Sequence, residues 1–170
     1  MTAGAHPYSK LEPALVLDAL DTVGQRGDGR LLSLNSYENR VYQVYLEDGS
    51  SVVTKFYRPE RWTDDEIAEE HAFALELAGR EIPVVAPKVL SGRTLHHHEG
   101  FRFAVYERRG GRPPMLDRPE VLEFIGRFLG RIHAVGAVAN FELRPDIDPD
   151  TFGTEPRNWL LDHGHIPEDL

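Results

Sequence analysis

Cysteine is missing altogether from these 170 residues, which excludes disulfide staples, thiolate metal sites and a cysteine nucleophile. Positive charge is in short supply as well. The 19 Lys and Arg stand against 28 Asp and Glu, leaving a net charge of −9 and a pI near 5.3. A nucleic-acid binder needs a basic surface to meet phosphate, so that partner class is not expected. No apolar run approaches the roughly 18 residues of a membrane span, and no basic-then-apolar leader opens the chain. A soluble, cytoplasmic chain without a membrane partner is therefore expected. Internal repeats and low-complexity tracts are lacking too. What remains, 41% hydrophobic and 28% charged, is the composition of an ordinary folded domain, and the length suits about one domain of roughly 150 residues.

Residues 1–10 are polar and irregular, and 11–23 read as a helix, with Leu15, Val16, Ala19, Leu20 and Val23 at helical spacing. Gly24 and the Gly27-Asp28-Gly29 cluster are expected to end it. A strand region follows over 31–57. Segments 41–46 and 51–57 are rich in β-branched and aromatic residues, and Asp48-Gly49 between them suits a tight hairpin turn. Thr63 with Glu66 three residues on forms a capping box, and Asp64 and Asp65 place negative charge where the helix dipole favours it. The helix they start carries Ile67, Ala74 and Leu77 as an apolar stripe and is expected to stop at Gly79, with Pro83 preventing its resumption. Short strands are expected at 87–90 and 101–106. Gly110-Gly111 and Pro113-Pro114 then break the chain, and a last helix spans about 119–135 with Val121, Ile125, Phe128, Leu129 and Ile132 on one face. Beyond Gly136 the signals are weak, and mostly loop is expected, punctuated by Pro145, Pro149, Pro156 and Pro167.

One lysine is badly placed for a surface charge. Lys55 alternates along its strand with Phe56, while Val53 and Tyr57 share its face. An ammonium there must reach water or find an anion, because burying it unpaired is costly. On the capped helix Glu70 falls in the stripe of Ile67, Ala74 and Leu77, whereas Glu69 lies with Glu66 and Glu76 on a wetter face. A strand lysine held by a glutamate of the next helix is how kinase-type folds aim a lysine at the phosphates of ATP. An edge lysine and an exposed helix glutamate explain the same spacing.

Other segments are less specific. Between the first two strands, Ser36 and Asn39 can offer hydroxyl, amide and backbone donors to phosphate oxygens, although no Gly-x-Gly-x-x-Gly is present and Asn35-Ser36 and Glu38-Asn39 are also plain turn formers. The apolar run 101–106 leading into Glu107 and Gly110-Gly111 suits a hinge whose backbone meets an adenine edge. His96, His97 and His98 point in different directions with no ligand partner at suitable spacing, so a solvated loop is expected there rather than a metal site. His133 is read as a dipole contact at a helix end. Asp162-His163-Gly164-His165 superficially resembles a kinase catalytic loop, but no aspartate follows the glycine, and it is rejected.

The residues 34–43, LNSYENRVYQ, and 55–63, KFYRPERWT, together resemble a bacterial stress-response serine/threonine kinase family of the aminoglycoside-phosphotransferase-like superfamily. Further agreement lies in Glu69-Glu70-His71, Phe73-Ala74-Leu75, 84–87, Gly100-Phe101, 103–105, Gly110-Gly111-Arg112, Gly126-Arg127, 129–131 and Glu155-Pro156-Arg157. The resemblance implies an α+β protein-kinase-like N-lobe, an antiparallel sheet of about five strands with one packed helix, over residues 1–107. A hinge at 108–114 and the first, mainly helical part of a C-lobe at 115–170 would follow. It implies ATP and Mg2+ as cofactors and phosphoryl transfer to a protein serine or threonine. Lys55 corresponds to the phosphate-binding lysine and Glu70, or less closely Glu69, to its partner. Ser36, Tyr37, Glu38 and Asn39 correspond to the ATP-covering loop, with Glu107 at the hinge. In such proteins the catalytic aspartate and the magnesium ligands come later than Leu170, so these 170 residues alone are expected to be inactive. They are also expected to self-associate through the helix face of Val121, Ile125, Phe128 and Ile132, whereas the whole protein is expected to be a monomer. Two alternatives stay open: a kinase of small hydroxylated molecules such as aminoglycosides, choline or amino alcohols, and a non-catalytic nucleotide-binding or regulatory module.

Overall fold

Pro13–Asp21 forms α1, followed by strands β1 (Gly27–Leu34), β2 (Arg40–Leu46) and β3 (Ser51–Phe56), helix α2 (Asp64–Gly79), strands β4 (His96–His98) and β5 (Phe101–Glu107), and helices α3 (Pro119–Gly136) and α4 (Glu155–Asp162). This is a computed structural model, and it describes residues 7–165; the expectations for residues 1–6 and for Pro167 lie outside them. The strands make one antiparallel sheet in the order β1-β2-β3-β5-β4.

Local chemistry explains most boundaries. Gly49 turns the β2–β3 hairpin at φ +82, and Asp48 Oδ1 accepts hydrogen bonds from the Ser50 amide (2.9 Å) and hydroxyl (2.6 Å). The capping box of α2 is complete: Thr63 Oγ1 accepts from the Glu66 amide, while Glu66 Oε2 accepts from the Thr63 amide. Helix α1 ends at Asp21, with Gly24 in the turn that follows at φ +73, so the 27–29 cluster does not end it. The cluster opens β1, with a register irregularity between Gly27 and Leu31 that Gly29 accommodates at φ +93.

Side-chain alternation gives the sheet two faces. Val44, Leu46, Val52, Phe56, Phe101, Phe103 and Val105 point to one of them and pack against Val16, Ala19 and Leu20 of α1, so α1 covers the back of the sheet in addition to the expected packed helix on the front. On the front, Ile67 of α2 meets Tyr57 and Ala104. Val41, Gln43 and Val53, across β2 and β3, stay half-exposed there. Farther along α2, Leu77 and Ile82 bury Val135 of α3, with Phe128 and Ile132 packed around them.

Three expectations need correcting. Segment 87–90 makes isolated bridges, Pro87 with Tyr106 and Leu90 with Arg93, instead of a strand. The three histidines are not a loop but the edge strand β4, in register with Phe101–Phe103; the pairing partner in space supplies the order that histidine's own propensity does not. The stretch beyond 136 is irregular as far as 148 but then holds a helical segment that was not expected: a π-helical turn, Asp150–Thr154, runs into α4. Asp148 Oδ1 starts that turn by accepting from the amides of Asp150 and Thr151, both at 2.8 Å, and Pro156 sits in the first turn of α4, where its missing N–H costs no hydrogen bond. The chain divides into two compact units, Met1–Asn140 and Phe141–Leu170. In the second, Trp159 stacks on His163 and His165.

Candidate nucleotide-binding site

Lys55 stands on the front of the sheet. β3 alternation sends Val52, Thr54 and Phe56 to the back and Lys55 to the front, where the register sets it between Val41 of β2 and Ala104 of β5. The inward stripe of α2 brings Glu70 to meet it: Lys55 Nζ donates to Glu70 Oε1 at 3.3 Å. The lysine side chain keeps 23% of its surface and the carboxylate 39%. Neither charge is desolvated enough to make the pair expensive, and neither is so wet that solvent screens it completely. An ammonium has three donors, and Glu70 engages one. The arrangement can therefore present a fixed positive charge to an anion on the half-exposed front.

Beneath the pair lies a cluster that sequence reasoning missed. His71, 1% exposed, exchanges a 2.6 Å hydrogen bond with the Tyr57 hydroxyl through Nε2 and a 2.9 Å one with Thr94 Oγ1 through Nδ1. Burial, with the Lys55 charge adding to it, pushes the imidazole down to about 4, so it is neutral at physiological pH. Tyr57 OH also lies 3.2 Å from Tyr106 OH, whose phenol burial pushes up to about 12. The signal was available: His71 stands four residues after Ile67 and three before Ala74, inside the same inward stripe.

The loop between β1 and β2 ends one strand away from Lys55, since Val41 is the lysine's cross-strand partner. Tyr37 is fully exposed and Ser36 half-buried. Asn39 Oδ1 accepts from the Arg58 amide at 3.2 Å, and Glu38 pairs with Arg61 at 3.2 Å. Tyr8 anchors the loop from behind. Its hydroxyl donates to the Glu38 carbonyl at 3.0 Å and lies 3.4 Å from that of Phe56, and burial pushes its pKa up to about 12. Tyr37 and Glu38 line a groove of about 530 Å³ with Pro7, Arg58, Pro59, Glu60 and Arg61; Lys55 and Glu70 do not line it. Glu107 closes β5 as an exposed residue paired with Arg109 at 2.8 Å. The histidines of β4 do find an acidic partner, in space rather than in sequence: His97 Nε2 lies 2.8 Å from Asp64 Oδ2. Among the described residues, no group of three or more His, Cys, Asp or Glu is arranged to hold a metal ion, and no helix is long and apolar enough to cross a membrane.

Comparison with known proteins gives this geometry a family. The phosphotransferase enzyme family matches residues 30–167. The chain belongs to that family. It is 46% identical, over all 170 residues, to stress response kinase A of Escherichia coli K12, covering 52% of that protein. It is 45% identical over 167 residues to the serine/threonine protein kinase RdoA of Salmonella typhimurium, covering 98% of this chain and 51% of that one. The chain thus spans about half the length of the curated relatives it matches. Among solved structures, an amicoumacin kinase in complex with AMP-PNP, Ca2+ and Ami aligns at a TM-score of 0.62 and 20% identity, over 83% of this chain and 50% of that one. A putative fructosamine-3-kinase from Thermobifida fusca aligns at 0.54 and 18%, over 93% and 57%. The five-stranded sheet with its packed helices is accordingly a protein-kinase-like N-lobe of the α+β class.

Proposed function

We propose that this chain is the nucleotide-gripping portion of an ATP-dependent protein kinase that phosphorylates serine or threonine in a bacterial stress response. The observation that carries the reading is the Lys55–Glu70 ion pair on the open front of the sheet: the carboxylate orients an ammonium whose remaining donors suit phosphate oxygens. In this reading Ser36, Tyr37, Glu38 and Asn39 cover the phosphates, and the end of β5 at Glu107 meets the base, with 108–114 as the hinge and 115–170 as the start of a helical second lobe. ATP with Mg2+ supplies the transferable phosphoryl group. The catalytic base and the magnesium ligands are assigned to no residue of this chain, and the 170 residues by themselves are proposed to transfer no phosphoryl group. The protein acceptor follows from likeness to the kinases named above, and a cytoplasmic monomer is proposed as the working form.

Titration calorimetry with AMP-PNP tests the site. Losing a charge-assisted hydrogen bond costs about 1.5–3 kcal/mol, so Lys55→Ala should weaken binding about 10- to 100-fold. Glu70→Gln should have a smaller effect and Glu69→Gln less still. Equal affinity of the Lys55→Ala variant and the unmodified chain would remove the lysine from the site.

A further inference from the structure

The phosphate-binding reading leaves the buried polar cluster under Lys55 without a task. Tyr57 follows β3 directly, is 2% exposed, and has its ring beneath the lysine, with Nζ 4.5 Å from the ring centroid. Its hydroxyl is held by His71 at 2.6 Å and by Tyr106 at 3.2 Å, and His71 is held in turn by Thr94 at 2.9 Å. A neutral imidazole donates from one nitrogen and accepts at the other, so a continuous hydrogen-bonded path runs from Thr94 to the end of β5 in either tautomer. Such a cluster is costly unless every member is satisfied, and once satisfied it fixes its side chains rigidly. The part it fixes most directly is the plane of the Tyr57 ring.

We propose that Tyr57 is a positioning residue for Lys55: its ring is the seat of the ammonium, and His71 with Tyr106 clamps that seat in place. A lysine stem has four rotatable bonds, and one 3.3 Å contact to Glu70 leaves the head free to swing. The ring's negative face adds a second attraction, so the ammonium is held before a ligand arrives and less ordering remains for binding to supply. The inference rests on the reading of Lys55 as a phosphate contact, and the experiment separates the two.

Lysine labelled with 13C at the ε-carbon gives few signals, from Lys10, Lys55 and Lys88, and a Lys55→Arg variant assigns the one needed. Seated over the ring, the Lys55 ε-protons should be displaced to low frequency relative to those of Lys10. The displacement should vanish in Tyr57→Leu and shrink without vanishing in Tyr57→Phe, which keeps the ring but loses the hydroxyl clamp. Tyr57→Leu should weaken AMP-PNP binding about fivefold and have no effect in a Lys55→Ala background. Undisplaced Lys55 protons, or an equal loss of affinity in both backgrounds, would overturn the proposal. Should Tyr57→Leu fail to fold, the signal of the unmodified chain and of Tyr57→Phe decides the question. If Lys55→Ala binds AMP-PNP normally, the phosphate reading falls alone, and the displacement still reports whether the ring seats the lysine.

Discussion

Replacing His71 with glutamine should flatten part of the acid sensitivity of this fold. Glutamine retains a donor and an acceptor but does not titrate. Burial holds the folded imidazole at about 4 against 6.5 in the unfolded chain. As pH falls below 6.5 the unfolded chain takes up a proton that the folded one refuses, so stability present at pH 7 is lost progressively toward pH 4. The slope approaches about 1.4 kcal/mol per pH unit, and the loss between pH 7 and pH 4.5 is about 2 kcal/mol. With a urea m-value of about 2 kcal/mol/M, that moves the unfolding midpoint by about 1 M. Urea titrations of both proteins at pH 7, 6, 5 and 4.5 provide the measurement. Groups common to the two chains, His96 among them, cancel in the difference. A gap between the two midpoints that stays constant over this range would refute the claim that His71 is held neutral by its surroundings.

Two stability predictions accompany it. Thr63→Ala removes the hydroxyl that caps α2 and should cost about 1 kcal/mol, lowering the melting temperature by roughly 2–4 °C; an unchanged melt would mean that packing alone holds the helix start. Phe56, fully buried, stacks on Phe103 at 5.4 Å and meets Phe101 edge-on at 6.4 Å. Phe56→Ala should cost about 3–5 kcal/mol, whereas Tyr37→Ala, at a fully exposed position, should stay within about 0.5 kcal/mol. Denaturant midpoints of similar size for the two variants would contradict the assignment of the back face as the core.

What could be read from the sequence was what neighbours along the chain decide. The capping box of Thr63 and Glu66, the Asp48-Gly49 turn and the alternation that isolates Lys55 each depend on residues a few positions apart. The partner choice of Lys55 was readable only as far as Glu70 shared a stripe with Ile67 and Leu77. Strand β4 was not readable, because histidines acquire extended structure there by pairing with Phe101–Phe103, a relation between segments. The closure of the back face by α1 depends on the same kind of distant contact. The burial of His71 was not readable from the residues beside it, because the histidine sits among glutamates, Glu69 and Glu70 before it and Glu76 after it, and polar neighbours suggest water where the helix turns the imidazole inward. The helical segment at 150–162 was hidden by Pro156, which reads as a breaker but sits in the first turn of α4.

Tyr8 has a mechanical consequence. Because one phenol near the amino terminus grips both the tip of the β1–β2 loop, at Glu38, and the last residue of β3, at Phe56, these three parts of the chain form a splint and cannot drift independently. A handle fused ahead of Pro7 would tug on the very loop assigned to cover the phosphates, and a cut just after Tyr8 would leave that loop without its rear stay.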